Sequence, residues 1–146
     1  YFKSMDVDYV VTVETKGIPL AYEVAKSLGI ELVIIRRENK VTEGPTVSIN
    51  YLSGTSGRIQ QMSLAKKSMK PSSRCVFIDD FLRGGGTAQG ITDLLKEFDS
   101  ELVGTGVLVD NVGVANKRVT DYVSIIDVEH ISEDGKIKVT PSSLIK

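Results

Sequence analysis

The segment Val76-Phe77-Ile78-Asp79-Asp80-Phe81-Leu82-Arg83-Gly84-Gly85-Gly86-Thr87 constrains this chain more than any other. A short apolar run leads into two adjacent carboxylates, then three glycines and a threonine. Beyond them Ile91, Leu94, Leu95 and Phe98 fall on one face of a helix. A buried strand that gives way to a glycine loop and a helix is the opening half of a βαβ unit. In open α/β sheets, ligands bind beyond the carboxyl ends of the strands, where the two acids stand. The glycines allow backbone N–H groups to approach an anion, and Thr87 adds a hydroxyl near the helix N-terminus. Carboxylates that accept from a sugar diol beside such a cup suit a ribose 5-phosphate. The plainer reading is a helix entrance with Asp caps and a flexible turn, so spacing and context must carry the claim.

The rest of the chain supplies that context. Asp8 to Val13 is a β-branched apolar run, interrupted by Glu14-Thr15-Lys16-Gly17. Pro19 suits a helix start, Ala21, Val24, Ala25 and Leu28 follow at helical spacing, and Gly29 suits a stop. Glu31 to Ile35 is a second strand, which completes strand–helix–strand and implies a parallel pair. Cys75 to Ile78, Leu102 to Val109 and Tyr122 to Val128 read as further strands, and Glu133-Asp134-Gly135 as a hairpin to Ile137-Lys138-Val139. The expected fold is α/β, with a central mostly parallel sheet and helices on both faces. Arg36 to Met69 breaks the alternation. Thr46 to Leu52 and Arg58 to Leu64 alternate polar with apolar about the turn-rich Gly54-Thr55-Ser56-Gly57. They predict a two-stranded ribbon projecting from the sheet as a flap, with Arg36 to Pro45 as its mobile approach.

At 146 residues the chain fits one domain, 1–146. Its single cysteine, Cys75, excludes an internal disulfide framework and suits a cytoplasmic location. No apolar run approaches a membrane span, so no membrane partner is expected. The net charge of -1 argues against nucleic acid binding through the domain's overall field. Tyr1-Phe2-Lys3-Ser4-Met5 reads as the last turn of a helix, and a truncated start is expected.

Four aliphatic or aromatic residues, two acids, two apolar residues and a small-residue loop ending in Thr resemble the signature of type I phosphoribosyltransferases. The resemblance implies that fold. It implies that Asp79 and Asp80 hold the ribose hydroxyls of 5-phosphoribosyl 1-pyrophosphate (PRPP), and that Gly84, Gly85, Gly86 and Thr87 hold its 5′-phosphate. Thr15-Lys16-Gly17 matches the family's pyrophosphate loop. Magnesium is implied with PRPP, bound through water and phosphate oxygens, with no protein metal site and no organic cofactor.

Thr15-Lys16-Gly17-Ile18-Pro19-Leu20-Ala21, the flap Asn39 to Tyr51, Met62 to Lys70 and Asp79-Asp80-Phe81 resemble more narrowly the purine operon repressors of Gram-positive bacteria. That likeness covers nearly the whole chain. It implies an effector-binding domain of a homodimer that controls operator DNA binding through a winged-helix domain absent from this chain. It also implies that PRPP weakens operator binding.

A transferase must handle a proton on the incoming base. Hypoxanthine-type relatives place a carboxylate inside the phosphate loop, whereas the equivalent position here is Arg83, a cation that accepts no proton. No catalytic residue is therefore expected, and Arg83 is read as a 5′-phosphate contact, with a solvated surface arginine as the plain reading. The rival is an active purine phosphoribosyltransferase of adenine or xanthine type. A kinase is disfavoured because no Gly-x-x-x-x-Gly-Lys-Ser/Thr motif occurs. A guanosine tetraphosphate alarmone, with phosphates at both ends of a ribose, is expected to compete. Arg36, Arg37 and Lys40 follow the second strand on the ligand-facing edge and are candidates to contact diphosphate or DNA, with a solvated strand end as the plain reading. Tyr51 is a candidate to stack on a base, and Asp110 a candidate near the purine. His130 reads as an ordinary surface histidine and Cys75 as core.

Overall fold

The computed structural model describes residues 1–38, 44–54, 56–131 and 133–144. In chain order it contains β1 (Tyr9–Val13), α1 (Ile18–Leu28), β2 (Glu31–Ile35), β3 (Thr46–Leu52), β4 (Ile59–Ala65), β5 (Arg74–Leu82), α2 (Gly86–Lys96), β6 (Glu101–Asn111), β7 (Val123–Ile131) and β8 (Ile137–Pro141). Six strands form one sheet in the order β2-β1-β5-β6-β7-β8. All neighbours in it are parallel except β7 and β8, whose antiparallel pairing follows the Glu133–Gly135 turn.

Alternation along the central strands sorts the core onto two faces. Val10, Val76 and Ile78 point to one side and meet Ala21 and Ala25 of α1. Val11, Val13, Cys75 and Phe77 point to the other and meet Ile91, Leu94 and Leu95 of α2. Helices thus cover both faces, as the strand–helix alternation implies. Pro19 stands in the first turn of α1, and Gly29 ends that helix at φ 70°, a left-handed conformation in which glycine carries no Cβ penalty. Phe98 lies just past α2 and is still buried in the same core. Near the start, Phe2–Ser4 makes a single 3-10 turn, with the Phe2 ring against Gly104 and Gly106.

Two features differ from expectation. β5 runs through Leu82, so Asp79 and Asp80 lie within the strand and not just after it. The acids break the apolar run, but β6 continues beside them, pairing Asp79 with Val107 and Phe81 with Val109. The ribbon β3–β4 forms in the expected register region, with Tyr51 opposite Gln60, yet it does not stand free. Arg36 and Ser63 exchange backbone hydrogen bonds of 2.9 and 2.8 Å, which ties β4 to the end of β2. Tyr51, Met62 and Leu64 are buried in the α2-side core. Gly90 of α2 makes room for them: a Cβ there would come within 2.8 Å of Tyr51 Cβ and 2.9 Å of Met62 Cε. Residues 39–43 of the approach, Lys40 among them, lie outside the described residues. Among those described, no helix is long and apolar enough to cross a membrane.

Candidate functional site

The carboxyl ends of β1 and β5 and the inner wall of the ribbon enclose a cleft of about 640 Å³. Val13, Glu14, Thr15 and Lys16 line it from the β1–α1 loop, and Asp79, Asp80, Phe81 and Thr87 from β5 and the start of α2. Arg37, Ser53, Ser56 and Gln60 line it from the ribbon side. The structure therefore brings together Thr15, Lys16, Asp79, Asp80 and Thr87, which the sequence places in two separate stretches.

Asp79 sits deepest. Its Oδ1 accepts the Asp80 backbone N–H at 2.9 Å. Gly17 passes so close that a Cβ on it would stand 2.7 Å from Asp79 Oδ1 and 2.7 Å from Thr12 Oγ1. The need for glycine in this loop is thus a need for close approach to the carboxylate. Burial, reinforced by the neighbouring Asp80, pushes the Asp79 carboxyl up to about 7, against the opposing pull of the Asp80 amide and Arg37.

Glu14 organises the cations opposite. Its Oε1 accepts the Arg37 backbone N–H at 2.7 Å, and its backbone carbonyl accepts Arg37 Nε at 3.0 Å. Its Oε2 pairs with Arg36 at 3.2 Å. Arg37 thereby faces the cleft, while Arg36 turns to an outer groove beside Leu32, Ile34 and Ser63. The expectation for Arg36 as a ligand contact is corrected in favour of its neighbour, because the Glu14 carboxylate holds the Arg36 guanidinium while the Glu14 backbone carbonyl holds that of Arg37.

Two further expectations change. The Tyr51 side chain is buried and offers no ring face to a base; its hydroxyl donates to Gln60 Oε1 at 2.9 Å. That bond assigns the amide oxygen to the Tyr51 hydroxyl, so the Gln60 NH₂ group supplies the donors of the side chain. Burial raises the Tyr51 hydroxyl above its ordinary range. Asp110 is 2% exposed and does not line the cleft. Its Oδ1 meets Lys117 Nζ at 2.5 Å and its Oδ2 accepts from the Tyr122 hydroxyl at 2.8 Å.

The glycine loop borders the cleft without opening into it. Arg83, Gly84, Gly85 and Gly86 surround a separate space of about 20 Å³, room for about one water. Gly54, at the ribbon tip, covers it on one side: a Cβ on Gly54 would come within 3.1 Å of Gly84 N. Thr87 is the residue of this loop that reaches both spaces. Gly85 is the N-cap of α2 at φ 73°, where the first N–H groups of the helix have no intrahelical partner.

Glu14, Ser53, Ser56, Gln60 and Phe81 are cleft residues that sequence reasoning missed. Glu14 adjoins Thr15 and was legible by adjacency. Ser53, Ser56 and Gln60 carry no local signal, since only ribbon docking brings them across from the acids. Among the described residues, no three His, Cys, Asp or Glu side chains converge to hold a metal.

A family model described as the phosphoribosyl transferase domain matches residues 2–140. The chain is 52% identical over 135 residues to the purine biosynthesis transcriptional repressor PurR of Bacillus subtilis, covering 92% of this chain and 47% of that protein. It is 41% identical over 130 residues to the purine biosynthesis transcriptional activator PurR of Lactococcus lactis, covering 89% of this chain and 48% of that protein. The chain thus spans about half the length of these relatives. Among solved structures, Giardia lamblia adenine phosphoribosyltransferase complexed with 9-deazaadenine aligns with a TM-score of 0.75 or better, at 0.77, with 22% identity over 88% of this chain and 74% of that one. The Trypanosoma brucei enzyme in complex with AMP, pyrophosphate and ribose-5-phosphate aligns with a TM-score of 0.75 and 21% identity, over 92% and 62% of the two chains. These structural likenesses speak to the fold.

Proposed function

This chain belongs to the phosphoribosyltransferase domain family, and we propose that it serves as the effector-binding domain of a regulator of purine biosynthesis genes. Its ligand is PRPP, and ligand occupancy controls operator DNA binding through a separate domain of a cytoplasmic homodimer. The observation that carries this reading is the convergence of Asp79 and Asp80 with Lys16, Arg37 and Thr87 around one cleft. Acceptors for a sugar diol stand opposite donors for phosphate, which is the polarity a ribose diphosphate requires. Similarity to proteins named as transcriptional regulators supports a regulatory role over a metabolic one.

Lys16 and Arg37 take the diphosphate, and the carboxylates of Asp79 and Asp80 take the ribose hydroxyls. Arg83 and the glycine loop take the 5′-phosphate once the ribbon tip yields space. Magnesium enters with the diphosphate, held by phosphate oxygens and water, for which the acid-rich floor is suited. The domain does not carry out base transfer, because no carboxylate inside the phosphate loop stands ready to accept a proton from a purine.

Calorimetry with PRPP and magnesium, beside a purine-dependent assay for pyrophosphate release, tests both halves. Binding without turnover is expected. Turnover with adenine or xanthine would select instead an active purine phosphoribosyltransferase, the reading favoured by the adenine-enzyme fold. Guanosine tetraphosphate is expected to displace PRPP from the same cleft, and simultaneous binding of the two would remove that idea.

A further inference from the structure

Residues 112–122 join β6 to β7 without regular structure, yet the segment is pinned from inside. Lys117, Asp110 and Tyr122 close a ring of hydrogen bonds. Lys117 Nζ donates to Asp110 Oδ1 at 2.5 Å and to the Tyr122 hydroxyl at 2.9 Å, and that hydroxyl donates to Asp110 Oδ2 at 2.8 Å. The ammonium also lies 5.2 Å from the centroid of the Tyr122 ring. Both side chains of the ion pair are withdrawn from solvent, at 11% and 2% exposure. Burying these charges is costly unless every partner is in place, so the ring holds its geometry cooperatively. Asp110 stands at the end of β6 and Tyr122 just before β7, so Lys117 draws the middle of the loop down onto the sheet edge.

The next two residues touch the glycine loop. The Arg118 backbone N–H donates to the Gly84 carbonyl at 3.0 Å. Val119 packs where a side chain on Gly85 would stand: a Cβ there would be 2.7 Å from Val119 Cγ1 and 2.9 Å from Val119 N. In a trans peptide, C=O and N–H point in opposite directions. Drawing the Gly84 carbonyl toward Arg118 therefore turns the Gly85 N–H away from Arg118, and Gly85 is the cap at which α2 presents its free N–H groups. A triglycine loop has more backbone freedom than any other sequence, and an anion would otherwise have to order it on binding.

We propose that Lys117 is a positioning residue for the phosphate loop: the Lys117–Asp110–Tyr122 ring sets Arg118 and Val119 against Gly84 and Gly85 and so preorganises the loop for a terminal phosphate monoester. This rests on the ribose-phosphate reading of the cleft. It assigns a task to a loop whose side chains do not reach the cleft, and it explains why Asp110, at a strand end facing the ligand edge, is turned inward.

The test titrates the wild-type chain and Lys117→Met separately with ribose 5-phosphate and with inorganic pyrophosphate. Amide hydrogen exchange is followed at Gly84 to Gly86 without ligand. Lys117→Met is expected to weaken ribose 5-phosphate at least tenfold and to leave pyrophosphate within about twofold, since Lys16 and Arg37 lie on the other side of the cleft. Exchange at Gly84 to Gly86 is expected to rise about tenfold while that of β1 and β5 stays unchanged. If Lys117→Met does not fold, Tyr122→Phe and Val119→Ala carry the same comparison with smaller effects in the same direction. Equal weakening of both ligands, or unchanged ribose 5-phosphate affinity, overturns the proposal. A wild-type chain that binds neither ligand sinks the ribose-phosphate reading instead. The exchange experiment then decides the clamp by itself, and unchanged exchange overturns it.

Discussion

The carbonyl oxygen of Leu52 occupies the place a side chain on Gly86 would need: a Cβ built on Gly86 stands 2.0 Å from it. The ribbon tip therefore rests on the first turn of α2, and the third residue of the triglycine loop must be small to admit it. Gly84 differs, because a Cβ there would meet only Gly54 Cα at 3.7 Å, an ordinary contact.

Gly86→Ala should accordingly destabilise the chain by about 1–3 kcal/mol through overpacking, with faster hydrogen exchange at 51–53. Gly84→Ala should cost about 1 kcal/mol or less. Thermal melts of the two variants check this, and equal losses would mean that the tip does not rest on Gly86.

Asp79 makes stability depend on pH. Its folded carboxyl titrates at about 7, above its ordinary value of 3.8, so the native state binds more protons than the unfolded chain between these limits. Stability should fall as pH rises from about 4 to 7 and then level off. Asp79→Asn should flatten this slope and stabilise the free chain at pH 8. The gain is about 2–4 kcal/mol, one pKa unit being worth about 1.4 kcal/mol. The same variant should lose most of its affinity for ribose 5-phosphate, which separates the functional cost of the buried acid from its structural cost. Denaturant titrations from pH 4 to 9 measure the effect; a slope that persists in Asp79→Asn would assign it to another group.

Arg37 and Arg36 are adjacent but should behave differently. Arg37→Met is expected to weaken pyrophosphate about 10- to 100-fold, the worth of one or two charge-assisted hydrogen bonds. Arg36→Met should change it by less than about threefold, since a partly exposed ion pair contributes about 1 kcal/mol or less. Calorimetry with pyrophosphate distinguishes them, and the reverse ranking would show that Glu14 sorts the pair the other way when ligand is present.

Cys75 is fully buried, and burial pushes its thiol up to about 12. Reagents that label thiols should react only as fast as the core opens. Labelling rates across a denaturant series should track global unfolding. Fast labelling in native buffer would place Cys75 in a locally opening segment.

Much of the architecture was legible because its signals are local. The helical spacing of Ala21 and Ala25, the stop at Gly29 and the apolar run at Val76 to Ile78 depend on residues a few positions apart. So does the order of acids, glycines and Thr87. Arg36 and Arg37 follow the same strand, and nothing in their neighbours says which faces the cleft; Glu14, 22 residues earlier, decides it. Asp110 ends a strand on the ligand edge, but Lys117 and Tyr122 capture both of its oxygens before a ligand can. Tyr51 alternates as a ribbon residue should, and docking of the ribbon against α2, where Gly90 leaves room for it, turns it into core. Local periodicity and glycine placement are written in the sequence because they follow from backbone geometry. Which side a polar group faces is set by partners that only the tertiary fold brings within hydrogen-bonding reach.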